Sequence, residues 1–292
     1  MIAIDWGTSS LRCYRLDAAG RIIDSRSSAK GILAIEDRRF SQALESEAGD
    51  WIARGEAPIL MSGMIGSRQG WAEAAYAECP AGFAEIGDAL KEVRWGMHRA
   101  WIAPGLACRD DCGVRDVMRG EEVQVLGVID ALGMGEHWIC LPGTHSKWVQ
   151  IRDGRIERFR TYMTGEVFAV LKTHSILGRM MAGAEADDEA FMEGVARAGE
   201  SGGLLHHLFG VRARGLFGEI ADRSSASYLS GILIGHELHS VGRNATRFHL
   251  LCAPQLAALY TQASHAIGAE VVVLDPDAAV RGLFKLSKAV TA

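Results

Sequence analysis

No Gly-x-x-x-x-Gly-Lys-Ser/Thr run occurs anywhere in the 292 residues, which excludes a Walker A phosphate loop. Gly63, Gly66 and Gly70 follow a strand-like run, but their Gly-x-x-Gly-x-x-x-Gly spacing is not the Rossmann fingerprint. Every apolar run falls short of the roughly 18 residues of a membrane span. No basic run of the kind that tracks a nucleic-acid backbone is present, and the net charge of -5 argues against such a partner. The six cysteines, at 13, 79, 108, 112, 140 and 252, are scattered. Cys108 and Cys112 lack the second Cys or His pair that would complete a zinc site, so the thiols read as buried and free. His236 and His239 are one residue short of the helical His-Glu-x-x-His spacing, and His206-His207 reads as structural. Low-complexity segments and long linkers are also missing. The N-terminus enters a strand without a charged leader, so a cytoplasmic location is expected.

What the chain does contain is one pattern written twice. Ile2-Ala3-Ile4-Asp5-Trp6-Gly7-Thr8-Ser9-Ser10 reads as an apolar strand ending in a Gly-Thr-Ser turn. A second strand over 11–16, a turn over 17–20 and a third strand from Arg21 follow. Trp138-Ile139-Cys140-Leu141-Pro142-Gly143-Thr144-His145-Ser146-Lys147 repeats the arrangement, with strands from 148 and 155 around an Asp153-Gly154 turn. A lone Gly-Thr turn is most often a plain hairpin. Two in matching contexts, with Asp5 ending the first strand, predict two related lobes that each offer N–H and hydroxyl donors to a polyphosphate. At 292 residues, 48% hydrophobic and 23% charged, the chain is long enough for two cores and ordinary for a soluble enzyme.

Between the repeats, helical spacing covers 37–54 and a buried strand covers 58–61, running into the Gly-rich loop Ser62 to Trp71. Residues 72–115 read as irregular, with a helix over 83–93 and a strand over 100–102. Val117-Met118-Arg119-Gly120-Glu121-Glu122 leads into an amphipathic helix that Gly133 stops. After the second repeat, Thr164-Gly165-Glu166 opens a helix, with others over 187–198, 203–209, 224–241 and 254–267. Strands are expected over 247–252 and 270–274, and a closing helix from 277.

These residues resemble the superfamily of sugar kinases, heat-shock ATPases and actin, whose members pair two lobes of duplicated topology and bind ATP between two Gly-rich turns. More narrowly, the chain resembles the 2-dehydro-3-deoxygalactonokinase family. The stretches that carry the likeness are Ile4 to Arg12, Met61 to Ser67, Val117 to Glu122, Pro142 to Val149, Phe159 to Glu166 and Leu229 to Gly235. Pro-Gly-Thr-His-Ser-Lys-Trp-Val and Met-Arg-Gly-Glu-Glu are rare strings, and the order holds along nearly the whole chain. The implied fold is α/β, a two-lobed actin-like (ribonuclease H-like) ATPase with an interdomain cleft. Residues 1–134 would carry the first phosphate turn and sugar-acid binding, and 135–292 the second turn and adenosine binding.

The resemblance implies ATP- and magnesium-dependent phosphorylation of the C6 hydroxyl of 2-dehydro-3-deoxy-D-galactonate, whose 6-phosphate would feed an aldolase in galactonate breakdown. Asp5 suits a magnesium-water ligand. Gly7, Thr8, Ser9 and Ser10, with Gly143, Thr144, His145 and Ser146, would donate to phosphate, and Arg12 or Lys147 would neutralise its charge. A guanidinium and amide or hydroxyl donors suit the carboxylate and oxo group of the substrate. Gly66, Ser67, Arg68, Gln69, Arg160 and Thr161 are the candidates. Glu121 is the expected base, Glu122 the alternative and substrate neighbour, and helix capping the competing role for either. One departure stands out. Cys252-Ala253-Pro254 replaces the Gly-Thr or Gly-Ser turn that the family usually brings to adenine. A kinase for 2-dehydro-3-deoxygluconate, or a non-catalytic sugar-acid sensor on the same scaffold, is the competing reading, and a homodimer is left open.

Overall fold

Ile2, Ala3, Ile4 and Trp6 are buried on both faces of the first strand, and it becomes the middle of a sheet. The computed structural model describes residues 1–181, 183–242, 246–275 and 277–291. β1 (Ile2–Trp6) pairs antiparallel with β2 (Leu11–Leu16), which pairs antiparallel with β3 (Ile22–Ser28). α1 (Phe40–Ala53) lays Phe40, Leu44, Ala48, Trp51 and Ile52 on the core and returns the chain to β4 (Ile59–Ser62), parallel to β1. Then come β5 (Tyr76–Glu78), α2 (Phe83–Asp88), β6 (Lys91–Trp95), β7 (His98–Ile102), β8 (Gly105–Arg109), β9 (Arg115–Met118) and α3 (Glu121–Leu132).

The expected helix over 83–93 is corrected by β6. Helical spacing fails after Asp88, where buried Val93 sits between outward Glu92 and Arg94 and pairs with Ala100 on β7. Gly96, at φ +53°, turns that hairpin. The stretch read as irregular also contributes β5, β8 and β9, which form their own three-stranded sheet.

β10 (Glu136–Leu141), β11 (Ser146–Arg152) and β12 (Arg155–Tyr162) open the second half. α4 (Thr164–His174), α5 (Asp188–Ala198), α6 (Gly203–Leu216) and α7 (Ser225–Val241) follow, α6 running two turns beyond the 203–209 expected. β13 (Arg247–Leu250), α8 (Pro254–Ala266), β14 (Glu270–Val273) and α9 (Ala278–Thr291) complete the chain.

The two large sheets repeat one topology. The first has the order β3-β2-β1-β4-β7-β6 and the second β12-β11-β10-β13-β14. In each, two parallel strands extend the sheet beyond the first strand of the repeat. The repeat seen in the sequence is therefore a repeat of strand order.

The chain divides into two compact units, one of Met1–His137, Val149–Arg160 and Asp275–Ala292, the other of Trp138–Trp148 and Thr161–Leu274. In the first unit α9 docks on α3, where Arg281 donates to the Gly127 carbonyl at 3.2 Å and Lys285 meets Asp130 at 2.6 Å. Among the described residues, no helix is long and apolar enough to cross a membrane.

Candidate active site

In the first unit Asp5 is the next-to-last residue of β1, in register with Arg12 on β2 and Ser62 on β4. An Arg12 guanidinium nitrogen lies 3.3 Å from its carboxylate, and the Asp5 side chain is 24% exposed. Burial pushes the Asp5 carboxyl above its usual range, and Arg12 offsets part of that rise. The turn beyond β1 closes through the Gly7 N–H to the Ser10 carbonyl at 2.9 Å. The Gly7 and Thr8 carbonyls accept from Ile32 and Leu33 at 3.0 and 3.3 Å. Gly7 thus spends its N–H on the turn itself, while Thr8 and Ser9 form the exposed tip.

β4 and α3 bring two more backbones to Asp5. Gly63 has φ +92°, and a Cβ there would lie 2.8 Å from the Trp6 carbonyl oxygen and 3.5 Å from Asp5 Oδ1. Gly120 has φ +108°, and its Cβ would lie 3.2 Å from the Gly63 Cα. L-side chains rarely adopt such angles, so both positions call for glycine. Gly120 has no side chain to cap α3, and the two acids fold back instead. Glu121 Oε2 accepts the Arg119 N–H at 3.0 Å and Glu122 Oε2 accepts the Gly120 N–H at 2.7 Å. Glu121 is half-buried, whereas Glu122 is 0% exposed. Burial first, and then the Glu121 charge, push the Glu122 carboxyl up to about 8.

The Gly-rich loop after β4 is a braced shelf. Gly66 is buried, Ser67 half-buried, and Arg68 and Gln69 stand at the outer tip. Arg68 is 87% exposed and pairs with Glu73 at 3.1 Å. Sequence reasoning missed two arginines here. Arg38 donates to the Gly70 and Trp71 carbonyls at 2.6 and 3.2 Å, and Arg119 donates to the Ala74 carbonyl at 2.8 Å with its guanidinium 4.4 Å from the Tyr76 ring. Arg119 was visible inside the Met-Arg-Gly-Glu-Glu string; Arg38 carried no local signal. Arg160, also in the first unit, pairs with Asp111 at 3.4 Å.

In the second unit the Gly143–Thr144–His145 turn rests on the start of α4. A Cβ on Gly165 would lie 2.4 Å from the Gly143 carbonyl oxygen, and the Glu166 N–H donates to the Thr144 carbonyl at 2.9 Å. The exposed His145 ring pairs with the Glu166 carboxylate. Ser146 and Lys147 turn inward, because β11 is buried on both faces from Ser146 to Ile151. Ser146 Oγ lies 3.0 Å from the Tyr260 hydroxyl, and the Lys147 ammonium donates to Thr161 Oγ1 at 2.7 Å. Buried Glu237 accepts from Trp148 Nε1 and the Tyr260 hydroxyl, each at 2.8 Å, and from the Thr164 hydroxyl. Burial raises the Glu237 carboxyl, and those three donors counter the rise.

Beside this turn opens a cavity of about 210 Å³. Pro142 and Gly143 form one end, Thr164, Gly165 and Phe168 of α4 one wall, and residues of α7 and α8 the rest. Ala253 and Pro254 are exposed at the start of α8, with the Ala253 carbonyl accepting from Ala257 at 3.0 Å.

Residues 5–286 match the family model for 2-keto-3-deoxy-galactonokinase. The chain belongs to this family. Membership makes it an ATP-using kinase, a phosphotransferase with an alcohol acceptor on a sugar acid, and nothing supports the sensor reading. The 2-dehydro-3-deoxygalactonokinase of Escherichia coli (strain K12) is 36% identical over 99% of this chain and 98% of its own length. The crystal structure of a candidate 2-dehydro-3-deoxygalactonokinase from Sinorhizobium meliloti is 38% identical, covers 99% of this chain and 97% of that one, and superposes with a TM-score of 0.89. The activator of the 2-hydroxyisocaproyl-CoA dehydratase from Clostridium difficile, solved with bound ADPNP, is similar in fold alone. It is 13% identical, covers 100% of this chain and 96% of that one, and has a TM-score of 0.51. The galactonokinase-family chain thus has an actin-like α/β fold with a duplicated strand order.

Proposed function

We propose that this chain transfers the γ-phosphoryl group of ATP to the C6 hydroxyl of 2-dehydro-3-deoxy-D-galactonate, giving the 6-phosphate. The observation that carries the reading is the meeting of Asp5, Gly63 and Gly120 in the first unit, which sets a carboxylate, a Gly-Thr-Ser turn and the N-terminus of α3 side by side. Phosphoryl transfer asks a protein for positioning and electrostatic stabilisation more than for covalent chemistry.

Glu121 takes the C6 hydroxyl proton as the new O–P bond forms. Glu122 is the weaker candidate, because a side chain with no exposed surface cannot meet a substrate hydroxyl; its role is to hold the Gly120 N–H. Thr8, Ser9 and Ser10 donate to phosphate in the first unit, and Arg12 balances charge there. In the second unit Gly143, Thr144 and His145 do so, backed by the N-terminus of α4, whose partial positive charge suits an anion. Ser146 and Lys147 support that turn from inside, given their buried partners. Arg68 and Gln69, at the tip of the shelf carrying Gly66 and Ser67, contact the substrate carboxylate. Arg160 and Thr161 are secondary candidates: Arg160 is 40% exposed against 87% for Arg68, and Thr161 Oγ1 accepts from Lys147. The nucleobase takes the cavity beside Pro142, with Ala253 and Pro254 nearby in sequence at the head of α8.

Asp5 fits a magnesium ion. Magnesium keeps several waters and is held through one or two carboxylates together with substrate phosphates. Asp5 offers one partly exposed carboxylate beside the turn, and no group of three potential ligands forms a dedicated cage among the described residues. When bound, the ion offsets charge on the phosphate oxygens. Six free thiols suit a reducing, cytoplasmic compartment.

The test is a coupled ADP-release assay across a panel of 2-dehydro-3-deoxy sugar acids. The galacto epimer is expected to give the highest kcat/KM. A higher value for the gluco epimer, or no ADP release with any member, overturns the assignment.

A further inference from the structure

The hydrogen-bonding side chains around the second-unit cavity are largely committed elsewhere. Thr164 donates to Glu237, and the Tyr260 hydroxyl donates to Glu237 and meets Ser146. Pro142 has no N–H to offer. The other side-chain walls are Phe168, Leu233, Ile234, Leu256 and Leu259, all apolar, and Ser230 is the one remaining hydroxyl in the lining. The head of α8 adds little polarity. Pro254 brings no N–H, and the Ala253 carbonyl is taken by Ala257.

We infer that this cavity takes the base of the phosphoryl donor as a flat apolar ring without reading its hydrogen-bonding edge, so that the enzyme accepts purine nucleoside triphosphates with little discrimination. The inference rests on the proposed use of the cavity by ATP. Adenine presents an acceptor at N1 and a donor at the 6-amino group. Hypoxanthine reverses both, and guanine adds a 2-amino donor. A site that hydrogen-bonds such an edge rejects an analogue that cannot answer it by about 10⁴-fold, because its own polar groups are left unpaired. An apolar pocket separates near-isosteres by only about 10- to 200-fold. The committed hydroxyls put this chain in the second class.

The test measures dissociation constants of ATP, ITP and GTP with the full chain, by calorimetry without sugar acid. A wrong acceptor assignment therefore leaves it standing. The three constants are expected to agree within about 200-fold, the most that an apolar pocket gives, and a stronger preference for ATP overturns the inference. Occupancy is tested by Leu256→Trp, which fills the cavity from α8. Weakening of all three nucleotides by a similar factor, with tripolyphosphate binding unchanged, supports the inference. Unchanged ATP binding in the folded variant overturns both the inference and the placement of the base. Should Leu256→Trp fail to fold, Ser230→Val decides. The ATP to ITP ratio is expected to stay within about twofold, and a tenfold change would show that Ser230 reads the base.

Discussion

Gly120 and Gly63 meet backbone to backbone, each at a positive φ, and Gly63 in turn abuts the carbonyl of Trp6 next to Asp5. The end of β1, the end of β4 and the start of α3 are thereby fixed at one separation. Gly63→Ala must accommodate a methyl 2.8 Å from the Trp6 oxygen as well as an unfavourable φ. The expected cost is about 1–3 kcal/mol of stability, with turnover falling at least about tenfold as Asp5 and Glu121 move apart. Gly120→Ala should be milder, since its nearest contact is 3.2 Å. Melting temperature and kcat check both, and wild-type values in Gly63→Ala would contradict the proposed geometry.

Glu121 and Glu122 should separate cleanly under amide substitution. Glu121→Gln keeps an acceptor for the Arg119 N–H but loses the base, so single-turnover rate should fall by about 10²-fold or more while nucleotide binding and stability hold. Glu122→Gln keeps the Gly120 hydrogen bond and should turn over near the wild-type rate. The reverse pattern would move the base to Glu122. Normal turnover in both would move it elsewhere.

Glu122 also sets a pH dependence of stability. Its carboxyl rises from an ordinary 4.5 to about 8 in the folded chain. Between those values the unfolded chain has released a proton that the folded chain keeps, so folding stability falls as pH rises. The cost is absent below pH 4.5 and complete above about pH 8. Glu122→Gln cannot ionise and should gain on the order of a few kcal/mol over wild type at pH 8.5, with little gain at pH 5. Denaturant melts at the two pH values measure this, and parallel curves for the two proteins would contradict it.

Glu237 is the acceptor on which the second turn depends. Glu237→Ala leaves Trp148 Nε1, the Tyr260 hydroxyl and the Thr164 hydroxyl without their partner. A loss of about 3 kcal/mol or more is expected, with weaker ATP binding as Ser146 and the start of α4 loosen. Urea melts and nucleotide titration test it. Unchanged stability would show that the three donors find other acceptors.

The strand repeat, the place of Asp5 at the end of β1 and the start of α3 after Gly120 were legible because hairpins and helix starts are local chemistry. The inward turn of Ser146 and Lys147 was not, since a polar pair after a Gly-Thr turn looks solvent-facing until β11 is known to be covered on both sides. Lys91 to Val93 was misread as helix because the periodicities of helix and strand overlap in so short a run. Arg38 and Arg119 hold carbonyls 32 and 45 residues away in the chain, and no local pattern reports such bonds. The Gly165 contact that seats α4 under Gly143 was hidden for the same reason, although both stretches belong to the strings that carried the family resemblance.

The central claim is tested most directly by the product itself. The full chain is incubated with ATP, magnesium and 2-dehydro-3-deoxy-D-galactonate, and the product is examined by phosphorus–carbon correlated nuclear magnetic resonance. The account predicts one new phosphate ester whose phosphorus couples to C6. An ester at any other carbon, or ADP formed without a phosphorylated sugar acid, would contradict it.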